Sequence, residues 1–368
     1  MSFATTTRTQ RRGMLPGRII VLSAVAIALC LSPSEAHATQ DRFALKRVRS
    51  YGLPDVHRDS TYGLSRMELN AGGPALAEPV AVAVAADGTV YILDRKFFKI
   101  AVFDENGRIR RVILGGSGSG PGEFRQPTWM AMGPAGSLFV LDFNLARVTE
   151  FSATGQLMRV IAIRNVAAAG IALSGPDSLW LVDWSPNPAE HAVVLLDFGG
   201  RLRSRSFTTT PRDRAFADFG AMPVLGLVRG RLHAATGQPG QWWVEGSPRR
   251  LGQEFFPTQK PQLIPRPSGP MKVVPAMTRA IVGLSGGRIG LVYSEFRPLE
   301  PVEEMRTYNW LAIYTAAGEL QGRLQIPGSA KLSAVAASPD GRYLYVNESD
   351  PYPRLLQYEL TESGGRSR

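Results

Sequence analysis

The chain repeats a unit of four short apolar strands, and this repeat limits its fold more than any other sequence feature. Residues 79–114 and 127–163 align along their whole length. Each contains an apolar strand, a glycine turn, a strand ending in Asp94 or Asp142, a third strand, a second glycine turn and a fourth strand. The strands are apolar on both faces, so we expect each unit to be covered on both sides.

Four further units follow more loosely, each marked by a small residue between apolar neighbours in its first strand. The six marker residues recur every 41–57 positions and are Ala83, Ala131, Ala172, Gly226, Gly283 and Ala336. Four-stranded units at this spacing are typical of β-propeller blades. Blades converge on a central axis, where Ala or Gly leaves room for the neighbouring strands. The sequence therefore predicts an all-β, six-bladed β-propeller with four antiparallel strands per blade.

The last unit is one strand short, which indicates how the ring closes. The predicted blades lie near residues 79–114, 127–163, 166–207, 223–256, 279–326 and 332–360. Leu64–Leu69 is followed by a Gly-Pro link similar to the one between the first two blades. We therefore expect an N-terminal strand, residues 64–69, to complete the last blade and remove the exposed sheet edges.

One family resemblance rests on the second unit and extends to the first. The residues that carry it are Gly116–Pro127 (GSGSGPGEFRQP), Gly136–Asp142, Arg147, Val148, Phe151 and Gly155. This segment resembles an NHL repeat, within the TolB-like superfamily of six-bladed propellers. The match thins in the later units, where blade three keeps Asp183 but blades four and five have no equivalent. The resemblance implies a six-bladed propeller, and most such proteins bind proteins, glycans or nucleic acids.

The N-terminus has the three parts of an export signal. They are a basic segment with Arg8, Arg11, Arg12 and Arg18, the apolar run Ile19–Leu31, and the small-x-small site Ala36-His37-Ala38. This predicts a signal peptide over residues 1–38, cleaved after Ala38, and one domain over 39–368. The apolar run is shorter than the roughly 20 residues that span a bilayer. We expect a periplasmic or extracellular protein, exported by the general or the twin-arginine route.

The sequence lacks the residues that several kinds of chemistry require. The single cysteine, Cys30, lies in the predicted leader, so the mature chain has neither disulfides nor a catalytic thiol. His57, His191 and His233 have no second ligand at zinc spacing. No Gly-x-Ser-x-Gly turn or phosphate-binding glycine loop occurs. We expect no cofactor, and a binding protein is favoured over an enzyme.

An enzymatic alternative is a metal-dependent hydrolase or lyase of the gluconolactonase-like propeller type. The resemblance implies that such propellers hold a divalent cation with Glu, Asn and Asp side chains on the axis. Here the corresponding set is Asn144, Asp183, Glu295 and Asn347. However, Asp94, Asp142 and Asp183 recur at one blade position, which favours a role in accepting backbone N–H groups at turns.

A ligand-binding face is predicted where the loops before the inner strands meet those joining second and third strands. The candidate residues are Arg95, Lys96, Phe97, Arg125, Gln126, Trp129, Asn144, Arg147, Trp184 and Arg297. Arginine beside aromatic side chains is the composition of binding hot spots. A cationic, aromatic face would suit an anionic peptide or glycan, and an exported protein is not expected to meet nucleic acid. The hypothesis is a binding or scaffold protein for a protein, peptide or glycan, with Arg147 and Trp129 alternatively bracing the fold.

Overall fold

The computed structural model describes residues 42–52, 73–183, 191–265, 269–298, 305–328, 331–350 and 352–362. These residues form six four-stranded antiparallel sheets, each a blade of a propeller, which confirms the predicted fold class. Strand β1 (Phe43–Tyr51) is the first strand of the described ranges and belongs to the last blade.

In the other five blades the chain runs from the inner strand to the outer strand. Blade one contains β2 (Pro79–Val84), β3 (Val90–Asp94), β4 (Lys99–Phe103) and β5 (Ile109–Leu114). Blade two contains β6 (Pro127–Met132), β7 (Leu138–Asp142), β8 (Arg147–Phe151) and β9 (Leu157–Ala162). Blade three contains β10 (Ala168–Ser174), β11 (Ser178–Asp183), β12 (His191–Asp197) and β13 (Leu202–Thr208).

Blades four to six follow the same plan, with one hairpin between the first two of them. Blade four contains β14 (Val224–Val228), β15 (Arg231–Ala235), β16 (Gln241–Val244) and β17 (Leu251–Gly252), and the hairpin pairs β18 (Gln262–Ile264) with β19 (Met271–Val273). Blade five contains β20 (Ala276–Leu284), β21 (Arg288–Pro298), β22 (Met305–Tyr314) and β23 (Leu320–Ile326). Blade six contains β24 (Val335–Ala337), β25 (Tyr343–Glu348), β26 (Arg354–Glu362) and β1.

The hydrophobic core is divided among the interfaces between neighbouring blades. One cluster lies between each pair of adjacent blades, including blades six and one. Strands in the middle of a blade are buried along their whole length, as β3 and β7 are, whereas the outer strand β9 is mostly exposed. Two-sided burial of the central strands explains why the sequence does not alternate between apolar and polar residues.

The six marker residues border the central channel, as the repeat predicts. Ala83, Ala131, Ala172, Gly226, Gly283 and Ala336 all line a cavity of about 570 Å³. Of the two glycines in this set, Gly226 has the less room, since a Cβ there would lie 2.2 Å from the carbonyl oxygen of Ile281 in the next blade. A side chain at this position would therefore push blades four and five apart.

The ring closes through an N-terminal strand, but not through the predicted segment. Strand β1 pairs antiparallel with β26, from Phe43 opposite Glu362 to Tyr51 opposite Leu355. It occupies the outer position of blade six that was assigned to Leu64–Leu69. That segment lies outside the described residues, as do the predicted leader and its cleavage site.

A β-bulge lets the closing strand serve two interfaces. The register shifts between Arg47 and Arg49. Phe43, before the shift, packs in the cluster between blades five and six, whereas Tyr51, after it, packs between blades six and one. One extra residue reverses the side-chain alternation of a strand, so β1 holds the last blade to both of its neighbours.

Outside the blades, the described residues include one helix, α1 (Pro211–Ala217), between blades three and four. Its N-terminus has a capping box, in which the Thr210 side chain accepts from the Asp213 N–H and the Asp213 carboxylate accepts from the Thr210 N–H. No helix in the described ranges is long and apolar enough to cross a membrane.

Candidate functional site

Two aspartates hold the loops that lead into the inner strands. The Asp94 carboxylate accepts from the backbone N–H of Ala77 (2.6 Å), Glu78 (3.1 Å) and Phe97 (2.9 Å). Asp142 repeats the arrangement in blade two and is fully buried. Each carboxylate joins the loop before the first strand to the turn after the second, so the predicted turn-capping role is observed at both positions.

Asn347 performs the corresponding task in blade six. Its side-chain oxygen accepts from the N–H groups of Ser333 (2.8 Å) and Ala334 (2.9 Å), and its amide donates to the Lys331 carbonyl (3.1 Å). The side chain is buried. Asn347 therefore fixes the loop before the inner strand β24, with both ends of its amide occupied.

Two other members of the alternative metal set also have partners within the protein. Asp183 forms an ion pair with Arg205 at 2.9 Å. Glu295 accepts from the Arg297 guanidinium and from the Trp310 indole N–H. Asn144 is exposed. Over the described ranges, no group of three or more His, Cys, Asp or Glu side chains is arranged to hold a metal ion.

The three predicted ligand-binding residues of blade one differ from one another in exposure and in the groups they contact. The Arg95 guanidinium forms an ion pair with Glu78, and this hydrogen bond lowers the pKa of the carboxyl group. Lys96 is exposed. Phe97 is partly buried beneath the Lys99 ammonium, which lies 4.9 Å from the ring centre.

In blade two, Arg125 is exposed, and its backbone N–H is bound to Asp142, as is that of Gln126. Trp129 is partly buried against two core clusters. The Arg147 guanidinium donates to the carbonyls of Ser119 (3.0 Å), Gly120 (2.7 Å) and Glu123 (2.7 Å). Arg147 thus braces the glycine-rich link between blades one and two.

The last two predicted residues lie farther along the chain. Arg297 forms an ion pair with Glu295 at 2.8 Å and lies 4.8 Å from the Tyr308 ring centre. Trp184 lies outside the described residues.

The first residues of four inner strands, and the loops before three of the inner strands, surround a cavity of about 420 Å³ to which five blades contribute. We call this cavity the front mouth; it is bordered by residues 77–80, 128–129, 220–224, 277–279 and 331–333. It brings together Arg95 and Trp129, from the predicted set, with Arg279 and Lys331, which the sequence analysis did not identify. The other described members of the predicted set do not line it.

The cavity at the opposite end of the channel, called the rear mouth, has a different lining. Its volume of about 570 Å³ includes the channel itself. The turns after the inner strands, including Arg229 and Asp340, border it. Both signs of charge are therefore present at the rear mouth.

Arg279 is the most unusual charged residue at the front mouth. Its Nε donates to the Ser294 hydroxyl (3.0 Å), and Ser294 donates to the Asn309 side-chain oxygen (2.8 Å). Burial lowers the pKa of Arg279 to about 10. Within the described part of the chain, no carboxylate forms an ion pair with it. The available sequence signal was an arginine within the mostly apolar inner strand AMTRAIVGL.

Comparison with known proteins supports the architecture. A family model described as a 6-bladed beta-propeller matches residues 77–176, which include blades one and two. A member of the DUF4221 family from Bacteroides vulgatus superposes with a TM-score of 0.57 at 11% identity, over 88% of this chain and 100% of that chain. A candidate exported protein from Bacteroides fragilis gives 0.56 at 11% identity, over 89% and 98%. No curated protein sequence matches the chain. At this identity the likeness concerns the fold, and the chain is a six-bladed β-propeller.

Proposed function

We propose that this protein is an exported, NHL-type propeller that binds a peptide segment of a partner protein at the front mouth. The export signal at Arg8–Ala38 and the NHL-like segment Gly116–Gly155 support the first part of this proposal. The composition of the front mouth supports the second, and it is the observation on which the function rests.

The charges at the front mouth favour an anionic ligand. Arg95, Arg279 and Lys331 line it, whereas Glu78 is its one acidic residue in the described part of the chain. Glu78 is already paired with Arg95. Two cations therefore have no carboxylate partner among the described residues of the cavity, and a concave cationic site attracts and orients anions.

The remaining surface favours a peptide over a glycan. The partly buried side chains of Trp129, Met222 and Met277 form apolar walls. The hydroxyl groups of Thr128, Thr278 and Ser333 each donate to a backbone carbonyl of the protein. A sugar needs a polar partner for each buried hydroxyl, whereas apolar peptide side chains can pack directly against these walls.

Binding is also favoured over metal-dependent hydrolysis or elimination. Asp183, Glu295 and Asn347 use their oxygen atoms for contacts within the protein. Recruiting them to a cation would break two ion pairs and the loop cap of blade six. A ligand at the front mouth requires none of these changes.

The test uses exported protein and N-terminally biotinylated heptapeptides that combine apolar and acidic residues. We expect binding that weakens as salt increases, because exposed charges are screened. Lys331→Gln should weaken it about 3-fold to 10-fold, in keeping with the loss of one charged contact. Arg229→Asn, which removes a cation at the rear mouth, should leave it unchanged. Asn suits this control because Arg229 has a φ of 53°, a backbone conformation that Asn tolerates.

Two results would overturn the proposal. One is that none of the peptides binds at low salt. The other is that Arg229→Asn weakens binding as much as Lys331→Gln, which would place the ligand at the rear mouth.

A further inference from the structure

Arg279 is held in one orientation at the front mouth. Strand β20 places it where the inner edge of blade five reaches the cavity. The hydrogen bond from its Nε to Ser294 fixes one edge of the guanidinium, and the Phe296 ring centre lies 5.7 Å away. A donor held in place before binding loses less conformational entropy when it engages a ligand.

Among the described residues, Arg279 has no acceptor for the outer edge of its guanidinium, whereas Arg95 and Arg297 do. Arg95 and Arg297 form ion pairs with Glu78 and Glu295, respectively. In the described ranges, the terminal nitrogens of Arg279 have no hydrogen-bond partner. The side chain is partly buried and therefore partly open to the cavity, and a planar anion with two oxygens is the group that matches its paired donors.

The shape of the cavity indicates how such an anion arrives. Segments from five blades surround the front mouth. A carboxylate on a side chain in the middle of a peptide would need room for the chain to continue on both sides. A chain terminus needs room on one side only. The terminal carboxylate also lies next to the last side chain, which would face the apolar walls formed by Met222, Met277 and Trp129.

We propose, on the basis of the peptide-binding function above, that Arg279 receives the C-terminal carboxylate of a peptide whose last residue is apolar. Ser294 acts as a positioning residue, because it holds the guanidinium without contacting the ligand. The partner is thus a protein with an accessible, apolar C-terminus.

The experiment compares two forms of the same peptide, a heptapeptide ending in Val-Leu with either a free carboxylate or a C-terminal amide. Isothermal titration of the exported protein should show at least 30-fold weaker binding of the amide, as expected for the loss of a charge-assisted pair of hydrogen bonds. Arg279→Gln should weaken binding of the free-acid peptide to a similar extent. The difference in affinity between the two peptides should then disappear. Arg279→Lys, which keeps the charge but not the planar donor pair, should recover only part of the affinity.

Arg306→Gln is the matched control, since it removes an exposed arginine of the same blade that does not line the cavity. It should leave both affinities within 2-fold of the original protein. If acid and amide bind equally, or if Arg279→Gln preserves the difference, the C-terminal recognition is wrong. If Lys331→Gln still lowers the affinity for those peptides, the front mouth would remain the binding site. If no peptide binds, both proposals fail together.

Discussion

Tyr51 offers a direct test of how the ring closes. Its side chain is 1% exposed and lies between blades six and one. Its ring centre is 5.6 Å from that of Phe103 in blade one and 6.0 Å from that of Tyr345 in blade six. The hydroxyl donates to the Gln357 side-chain oxygen at 3.1 Å. The residue therefore joins the closing strand to both blades at once.

The expected loss of stability follows from these contacts. Tyr51→Ala removes a buried aromatic ring and leaves a cavity, which should lower the free energy of unfolding by about 3–5 kcal/mol. Tyr51→Phe keeps the ring but leaves the Gln357 oxygen without this donor, which should cost about 1–2 kcal/mol. Val48→Ala is the control on the same strand, because Val48 is 44% exposed. It should change stability by less than about 0.5 kcal/mol.

Urea titration followed by tryptophan fluorescence measures all three variants against the original protein. The order Tyr51→Ala, Tyr51→Phe, Val48→Ala should hold for the loss of stability. If Tyr51→Ala unfolds at the same urea concentration as Val48→Ala, then β1 does not close the ring as described. The outer position of blade six would then belong to another segment.

Three further substitutions are measured by the same urea titration. They test the loop cap formed by Asp142, the close contact between blades at Gly226, and the buried His233. Asp142→Ala leaves three backbone N–H groups without their acceptor and should cost about 2–4 kcal/mol, whereas Asn144→Ala, at an exposed position, should be neutral. Gly226→Ala places a Cβ against Ile281 and should cost about 1–3 kcal/mol; a neutral result would contradict the close blade contact. Burial lowers the pKa of His233 to about 4, so the unfolded chain alone binds this proton between pH 6.5 and 4. The free energy of unfolding should therefore fall as the pH is lowered from 6.5 to 4, and His233→Leu should reduce this fall.

The fold was predictable because its signals are local. The glycine turns, the two-sided apolar strands and the small residue in each inner strand recur within every blade. Asp94 and Asp142 could be recognised as caps for the same reason, since both occupy one position of the repeat. Each of these features depends on neighbours within about one blade.

The closing strand was misassigned because its partner lies at the other end of the chain. Phe43–Tyr51 pairs with Arg354–Glu362, and no local pattern records that pairing. Only three residues of β1, Phe43, Leu45 and Tyr51, pack into the clusters of the neighbouring blades. An outer strand is covered less than an inner one, so it carries a weaker apolar signature.

The candidate site shows the same division between local pattern and three-dimensional arrangement. The sequence predicted a group of arginine and aromatic residues near one face, because the position of a residue within a blade follows from the repeat. Tertiary structure alone decided which of those charges are neutralised. Arg95, Arg147 and Arg297 found acceptors within the protein, while Arg279 lies at the front mouth without a carboxylate partner among the described residues. The availability of a charge for a ligand depends on the groups that folding brings around it, and those groups come from distant parts of the chain.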